Sequence, residues 1–355
     1  MSERKGRVLR VLIVDDSVTS RAVLARMVGG NGKGQVVGEA SNGEEGLTLA
    51  ESQRPDVIIL DLEMPRMDGF TFLRLLMGRR PTPVIVVSSN SQKADVFKAL
   101  ELGALDFVAK PERGTLDAIR AELMEKCDLV RALKLENLEP RRMVEREPRQ
   151  LGDPIEPSRV AVIAASTGGP QAIQRLLEGI PAELDLGILI AQHMPERFTR
   201  AFAERLGRTS RLNSREAVGG DVVAAGRVLV APGGRNLMLS RDADGVLRAL
   251  VVDPAPAGVG EPRYSPSADV LFTSAARTLG ERVCGVVLTG MGRDGQAGAR
   301  AVHAAGGLVL AESAESAVVF GMPEAAIRAG VVHEVLPLDG LARRLTRFGL
   351  GEPRR

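Results

Sequence analysis

Val8-Leu9-Arg10-Val11-Leu12-Ile13-Val14-Asp15-Asp16-Ser17 is a short, mostly β-branched and apolar run that stops abruptly on two carboxylates and a serine. Runs of this kind recur at Val36 to Ala40, Val57 to Leu60, Val84 to Val87 and Phe107 to Ala109. Amphipathic stretches such as Ser17 to Val28, Gly43 to Glu51 and Asp68 to Met77 lie between them. Near-continuous apolar strands alternating with helices are the pattern of a parallel sheet covered on both faces. Five such strands predict a flavodoxin-like order.

A helix is predicted from Thr115 to about Leu135, after which Glu139-Pro140-Arg141-Arg142 leads through Pro154 and Pro157 with charges of both signs, the composition of a linker. The alternation resumes with strands at Val160 to Ala165, Leu186 to Ala191, Val228 to Ala231, Val283 to Thr289 and Leu308 to Ala311. Helices are predicted at Gln171 to Glu178, Thr199 to Leu206, Ser267 to Leu279, Gln296 to Ala305 and Pro323 to Ala329. This is a second α/β domain, doubly wound and mostly parallel. Its middle, Asn213 to Pro262, is rich in glycine and strand signals and is expected to add antiparallel pieces. The expected divisions are 8–125, a helix extension and linker over 126–157, and 158–348. A chain of 355 residues is long enough for two such cores.

Composition narrows the function. With 47 basic residues against 45 acidic ones, and only 3% aromatic residues, the chain has neither the charge surplus nor the stacking platforms of a nucleic-acid binder. Cys127 and Cys284 stand far apart, on a predicted helix end and a buried strand, so no disulfide framework is expected. Met1 to Arg10 is polar and basic, and the apolar run after it is too short for a signal or a membrane span. A cytoplasmic protein is expected.

Asp15 and Asp16 end the first strand and Asp61 ends the third, so a parallel sheet brings three carboxylates to its carboxyl edge, where ligand sites form. Close carboxylates repel unless a cation sits among them, and an all-oxygen set suits Mg²⁺. Ser88 ends the fourth strand and Lys110 the fifth, placed to bond a phosphoryl oxygen and pair with added negative charge. A lone carboxylate after a strand is as readily a helix cap. Five suitable residues at successive strand ends are not. Over residues 8–125 the sequence resembles the receiver domain of bacterial response regulators, through Val14-Asp15-Asp16-Ser17, Asp61-Leu62-Glu63-Met64-Pro65-Arg66-Met67-Asp68-Gly69, Val87-Ser88-Ser89 and Phe107-Val108-Ala109-Lys110-Pro111. The resemblance implies that Asp61 takes phosphate from a histidine kinase. It further implies that Asp16, Asp61 and the Glu63 carbonyl join in metal binding, that Ser88 and Lys110 sense the phosphoryl group, and that Phe107 moves as an aromatic switch.

In the second half the first strand runs into Ala165-Ser166-Thr167-Gly168-Gly169-Pro170, and a helix follows. Its glycines allow a tight turn, and the helix's first amides face whatever lies beside Ser166. The geometry serves phosphate binding or a nucleophilic serine with an oxyanion hole. The dinucleotide fingerprint is absent, and no acidic residue ends the next strand to hold a ribose. That strand ends in Gln192-His193-Met194-Pro195, which supplies a general base. His303 and His333 lie in a helical pattern and an apolar run, and neither has a serine partner. Asp294, in Thr289-Gly290-Met291-Gly292-Arg293-Asp294-Gly295, follows a third strand and can orient the imidazole, although alone it reads as the cap of the helix starting near Gly295.

From about Arg159 to Val335 the sequence resembles the catalytic domain of the chemotaxis-specific protein-glutamate methylesterases, the CheB family. The motifs just quoted carry this, with Phe198-Thr199, Ala231-Pro232-Gly233-Gly234, Asp269-Val270-Leu271-Phe272 and Val319-Phe320-Gly321-Met322-Pro323. The resemblance implies Ser166 as nucleophile, His193 as base and Asp294 as orienter, with Thr167 and the backbone of Met291 near the oxyanion. It implies methyl-accepting chemotaxis receptors as substrates, glutamate demethylation and glutamine deamidation as reactions, and no metal for the hydrolytic step. Regulation is expected through a receiver that covers the serine until Asp61 is phosphorylated. The alternative is a phosphorylation-controlled binding module without turnover. Two departures from the family stand out: Asn236, where a histidine is usual, and Tyr264-Ser265, in place of a basic pair. Neither is expected to touch the triad.

Overall fold

The computed structural model describes residues 7–30, 32–88, 93–110, 116–133, 152–254 and 264–352. Ser89, Pro111, the start and end of the helix expected over Thr115 to Leu135, most of the linker and the last residues of the stretch expected over Asn213 to Pro262, from 255 on, lie outside them. The chain divides into two compact units, Met1–Arg142 and Met143–Arg355.

The first unit runs β1 (Leu9–Val14), α1 (Val18–Gly29), β2 (Gly34–Ala40), α2 (Gly43–Gln53), β3 (Val57–Leu60), α3 (Gly69–Arg79), β4 (Val84–Ser88), α4 (Lys93–Glu101), β5 (Asp106–Ala109) and α5 (Leu116–Leu129). Its five parallel strands take the order β2-β1-β3-β4-β5, the expected flavodoxin-like sheet. All of β3 and β4 is buried, as sheets covered on both faces require. α4 was not anticipated. Its buried Val96, Phe97, Ala99 and Leu100 fill little more than one turn of apolar surface, too short a period to separate from a strand.

The second unit contains β6 (Arg159–Ala165), α6 (Gly169–Glu178), β7 (Leu186–Gln192), α7 (Thr199–Thr209), β8 (Asn213–Glu216), β9 (Asp221–Val222), β10 (Arg227–Val230), β11 (Asn236–Arg241), β12 (Leu247–Val252), α8 (Ala268–Leu279), β13 (Val283–Val287), α9 (Gln296–Ala304), β14 (Leu308–Glu312), α10 (Met322–Arg328), β15 (Glu334–Leu336) and α11 (Leu338–Gly349). Seven parallel strands form one sheet in the order β15-β14-β13-β6-β7-β10-β8. The antiparallel pieces expected after Asn213 are β11-β12-β9, a separate small sheet, whereas β8 and β10 join the large one.

β6 lies between β7, which follows it in sequence, and β13, which returns to its other flank. That reversal is a topological switch point, and its carboxyl edge is where an open α/β sheet leaves a crevice. Behind it, Leu271, Phe272, Ala275 and Leu279 of α8 pack with Val162, Leu189 and Val287 in one buried cluster. Fully burying a leucine or phenylalanine is worth roughly 1.5–3 kcal/mol, so the elements that carry the site are held by the core itself.

Candidate active site and receiver site

In the first unit the strand ends bring the expected residues together. Carboxylate oxygens of Asp15, Asp16 and Asp61 lie within 4.8 Å of one another, with Asp15 and Asp61 buried and Asp16 exposed. Lys110 Nζ lies 2.6 Å from Asp61 Oδ2 and 3.2 Å from Asp15 Oδ2. Asp15 also accepts from Ser17 N at 2.9 Å and Ser20 Oγ at 2.6 Å, which ties the carboxylate to the start of α1. Burial pushes the Asp61 carboxyl above its ordinary value, while Lys110 and the Leu62 N–H pull the other way. Burial acts to lower the Lys110 ammonium, and the hydrogen bond and charge of Asp61, then Asp15, outweigh it. The donor set, hard carboxylate oxygens with one group open to solvent, fits Mg²⁺.

Ser88 is buried as the last residue of β4, and Phe107 is buried in β5. Glu63 is exposed in the loop after β3. Lys126, unremarked in the sequence, donates to Phe107 O at 2.5 Å and pairs with Asp106 at 3.1 Å. It anchors the backbone of the aromatic residue from α5.

The second unit builds its site across three strands. The β6–β7 register ends with Ala165 opposite Gln192, so Ser166 and His193 are the next residues on neighbouring strands, which run about 4.8 Å apart. Two backbone bonds prolong the ladder past the strands: His193 N donates to Ala165 O at 3.0 Å, and Ser166 N donates to Thr289 O at 3.0 Å. Gly290 then passes against the serine so closely that a methyl group there would stand 2.8 Å from Ser166 Cβ and 2.4 Å from Met322 Sδ. Only glycine fits. Gly168, at φ +77°, turns the chain from Ser166 into α6, and Gly169 N closes the turn on Ser166 O at 2.8 Å.

His193 Nε2 lies 2.8 Å from Asp294 Oδ2, and both side chains are nearly inaccessible, at 8% and 0% exposed. His193 Nδ1 is buried with no hydrogen-bond partner among the described residues. The free nitrogen is therefore Nδ1, the reverse of the arrangement in the chymotrypsin-type triad. Asp294 also accepts from Ala268 N at 2.7 Å, Asp269 N at 3.0 Å and Ser267 Oγ at 3.0 Å. Burial works to raise this carboxyl, but the bond from His193 and those backbone amides outweigh it and hold it below its ordinary value. Asp294 is thus a permanent anion at neutral pH, seated on the N-terminus of α8.

The cap reading of Asp294 is corrected in a specific way. Asp294 does bind helix amides, chiefly those of α8 rather than of α9, the helix it precedes. The start of α9 is bound by Asp269, whose Oδ1 accepts from Gly298 N at 2.7 Å. α8 supplies the acid that binds the start of α9, and the loop leading into α9 supplies the one that binds the start of α8.

Of the two departures, Tyr264 does reach a candidate site residue, contrary to expectation: its ring stacks on His193 with centroids 4.3 Å apart and planes within 5°. Asn236 reaches the same place indirectly, accepting from Ser267 N at 2.8 Å.

Thr167 is buried, and its carbonyl accepts from Thr289 Oγ1 at 3.0 Å. Met291 follows Gly290, whose carbonyl accepts from Gly321 N at 3.1 Å and Met322 N at 2.8 Å, so the start of α10 fixes that loop. Gln192, quoted in the sequence as part of a motif, has a part the motif did not reveal: its Nε2 donates to Ser166 O at 2.9 Å and His193 O at 3.0 Å. One amide ties together the backbones of both residues. A serine, a histidine with one free ring nitrogen and a buried anion are the groups that acyl transfer calls for.

The model of the CheB methylesterase family matches residues 161–345, and that of the response regulator receiver domain matches residues 11–121. A protein-glutamate methylesterase/protein-glutamine glutaminase from Anaeromyxobacter dehalogenans is 60% identical over 98% of this chain and 97% of its own length. One from Myxococcus xanthus is 47% identical over 95% and 96%. The crystal structure of the Thermotoga maritima CheB methylesterase catalytic domain aligns with 53% of this chain and 97% of its own at 35% identity and a TM-score of 0.51. No described helix is long and apolar enough to cross a membrane. Half of the chain under one family model, and relatives 47–60% identical along nearly its full length, join the geometry on one conclusion: this chain belongs to the CheB methylesterase family, with a receiver domain preceding its methylesterase domain.

Proposed function

We propose that the chain removes methyl esters from glutamates of methyl-accepting chemotaxis receptors, and deamidates glutamines there, using Ser166, His193 and Asp294 under the control of phosphorylation at Asp61. The reading assigns 8–125 to the receiver domain, 126–157 to a helix extension and linker, and 158–348 to the methylesterase domain. The observation that carries it is the buried His193–Asp294 pair at 2.8 Å, one strand from Ser166.

Ser166 Oγ attacks the γ-carbonyl of the ester and passes its proton to His193 Nδ1. The resulting imidazolium faces the Asp294 anion through Nε2. Collapse of the tetrahedral adduct breaks the C–O bond, and methoxide leaves as methanol with the proton from His193. Water then attacks the glutamyl-Ser166 ester, giving its proton to the same nitrogen, and the free carboxyl group and Ser166 are released. A glutamine side chain follows the same course with ammonia leaving. Thr167 and the Met291 backbone stabilise the developing oxyanion in this reading, and one donor to an oxyanion is typically worth about 3–4 kcal/mol in such sites.

In the receiver, Asp15, Asp16, Asp61 and the Glu63 carbonyl would hold Mg²⁺, whose charge would offset the repulsion between these carboxylates and an incoming phosphoryl group. Ser88 and Lys110 bond the phosphoryl group once attached, with Phe107 as the aromatic switch, and a chemotaxis histidine kinase is the donor.

Ser166→Ala is expected to lower methanol release from methylated receptor membranes by about 10⁴-fold or more, with Asp61 still phosphorylated by a small-molecule donor. Wild-type methanol release by the variant would refute the assignment.

A further inference from the structure

A single hydrogen bond fixes one atom of an imidazole, not its plane. The torsion that turns a histidine ring is broad, so with only Nε2 tethered to Asp294 the ring can rock and carry Nδ1 away from the serine's proton. A flat contact removes that freedom, and the Tyr264 ring makes one, 4.3 Å from His193 and within 5° of parallel.

Tyr264 is itself held. The residue after it, Ser265, accepts from Gly234 N at 3.0 Å. Ser267 donates its backbone N–H to the buried Asn236 Oδ1 at 2.8 Å and its hydroxyl to Asp294 Oδ1 at 3.0 Å. Four residues, 264 to 267, therefore contact both the face of the imidazole and the carboxylate that binds its edge. On its outer side the tyrosine reaches the turn after Met291, where a methyl group on Gly292 would stand 3.8 Å from its Oη.

We propose that Tyr264 is a positioning residue for His193, keeping the imidazole in the plane that joins Asp294 to the nucleophile, and that Asn236 sets Tyr264 by anchoring Ser267. The inference rests on the proposed role of His193 as base. It implies that ring shape, not the phenolic hydroxyl, is what the reaction needs.

The test uses the full-length protein with phosphodonor and methylated receptor membranes. Tyr264→Ala is expected to lower kcat about 10-fold with KM within about twofold, and Tyr264→Phe to stay near wild type, the size expected from losing one aromatic stack. Asn236→Ala, which keeps the tyrosine side chain but removes the anchor of Ser267 that sets it, is expected to lower kcat in the same sense. The chain has three histidines, so their ring-proton NMR signals are few. The His193 signals, assigned with His193→Gln, should lie upfield in the wild type and move downfield in Tyr264→Ala. That readout is blind to a general loss of stability. An unchanged kcat in Tyr264→Ala, a rise in KM alone, or equal losses in the alanine and phenylalanine variants would each overturn the proposal. If His193→Gln is inactive while Tyr264→Ala is not, this proposal fails and the triad stands. An active His193→Gln removes the triad reading itself.

Discussion

Glu312, the last residue of β14, is fully buried and shows how one side chain reports on the site from behind it. Its carboxyl accepts from Thr289 N at 2.8 Å and from Ser316 Oγ at 2.9 Å, and Thr289 O is the acceptor for Ser166 N. Burial pushes this carboxyl up to about 7, against the Thr289 amide, the Ser316 hydroxyl and the charge of Arg175. The folded chain therefore keeps a proton that the unfolded chain releases above its ordinary value near 4.5, so this group's contribution is largest below that value and is lost as pH rises through about 7. Glu312→Gln retains an acceptor for Thr289 and a donor for Ser316 without a charge to bury. At about 1.4 kcal/mol per pH unit, the variant is expected to be up to about 3 kcal/mol more stable than wild type at pH 8 and equal to it near pH 4. Urea unfolding at the two pH values checks this, and coincident curves at pH 8 would count against it. Nothing in Leu308 to Glu312 as a string of letters marks its acid as buried. The sequence shows only a polar residue ending an apolar run, and its burial follows from the loops that close over the strand end.

At the level of elements, α8 and α9 are joined by exchanged caps and by an unusually close approach. A methyl group on Gly298 would stand 2.5 Å from Phe272 Cβ and 3.1 Å from Asp269 Cα. In an open helix, glycine to alanine stabilises by about 1 kcal/mol. Here overpacking, typically about 1–3 kcal/mol, opposes it and reverses the sign. Gly298→Ala is expected to destabilise the methylesterase domain by about 1–2 kcal/mol in urea and to lower esterase activity, because the shift pulls the α8 amides from Asp294. Unchanged stability would show that the helices can part without cost. Elements are mostly legible, since α6 and α8 bury residues at helical spacing, β6 is apolar from Val160 onward and β7 is apolar up to Ala191. Apolar character ends at Ala191 and Ala311, but the ladder pairs backbones and runs on through Gln192 in β7 and Glu312 in β14, whereas the strand expected over Val283 to Thr289 stops at Val287. β15, only partly buried on the sheet edge, and α11 went unassigned. α11 nonetheless carried a readable stripe in Leu338, Leu341, Leu345 and Phe348, three or four residues apart and all buried.

On the scale of the whole molecule, one chain carries the proposed phosphate-accepting site and the proposed hydrolytic site in separate units. If Asp61 is the acceptor that governs the hydrolase, Asp61→Asn is expected to leave basal methanol release unchanged while abolishing its increase with a phosphodonor. An undiminished response in that variant would place the control elsewhere. The alternation of elements, the five receiver positions, and the serine, histidine and aspartate of the proposed triad were all determined by the sequence alone. They could be, because every parallel strand delivers the residues at its carboxyl end to one common edge, so position along the chain translates into position in space, with Asp294 brought there by the loop between β13 and α9. Tertiary structure alone decided which ring nitrogen meets Asp294, which helix that acid caps, and that Tyr264 lies flat on His193. His193 and Asp294 are 101 residues apart, and Asp294 and Ala268 are 26 apart. Contacts of that range depend on how helices and loops close over the strand ends, and no local periodicity encodes that closure.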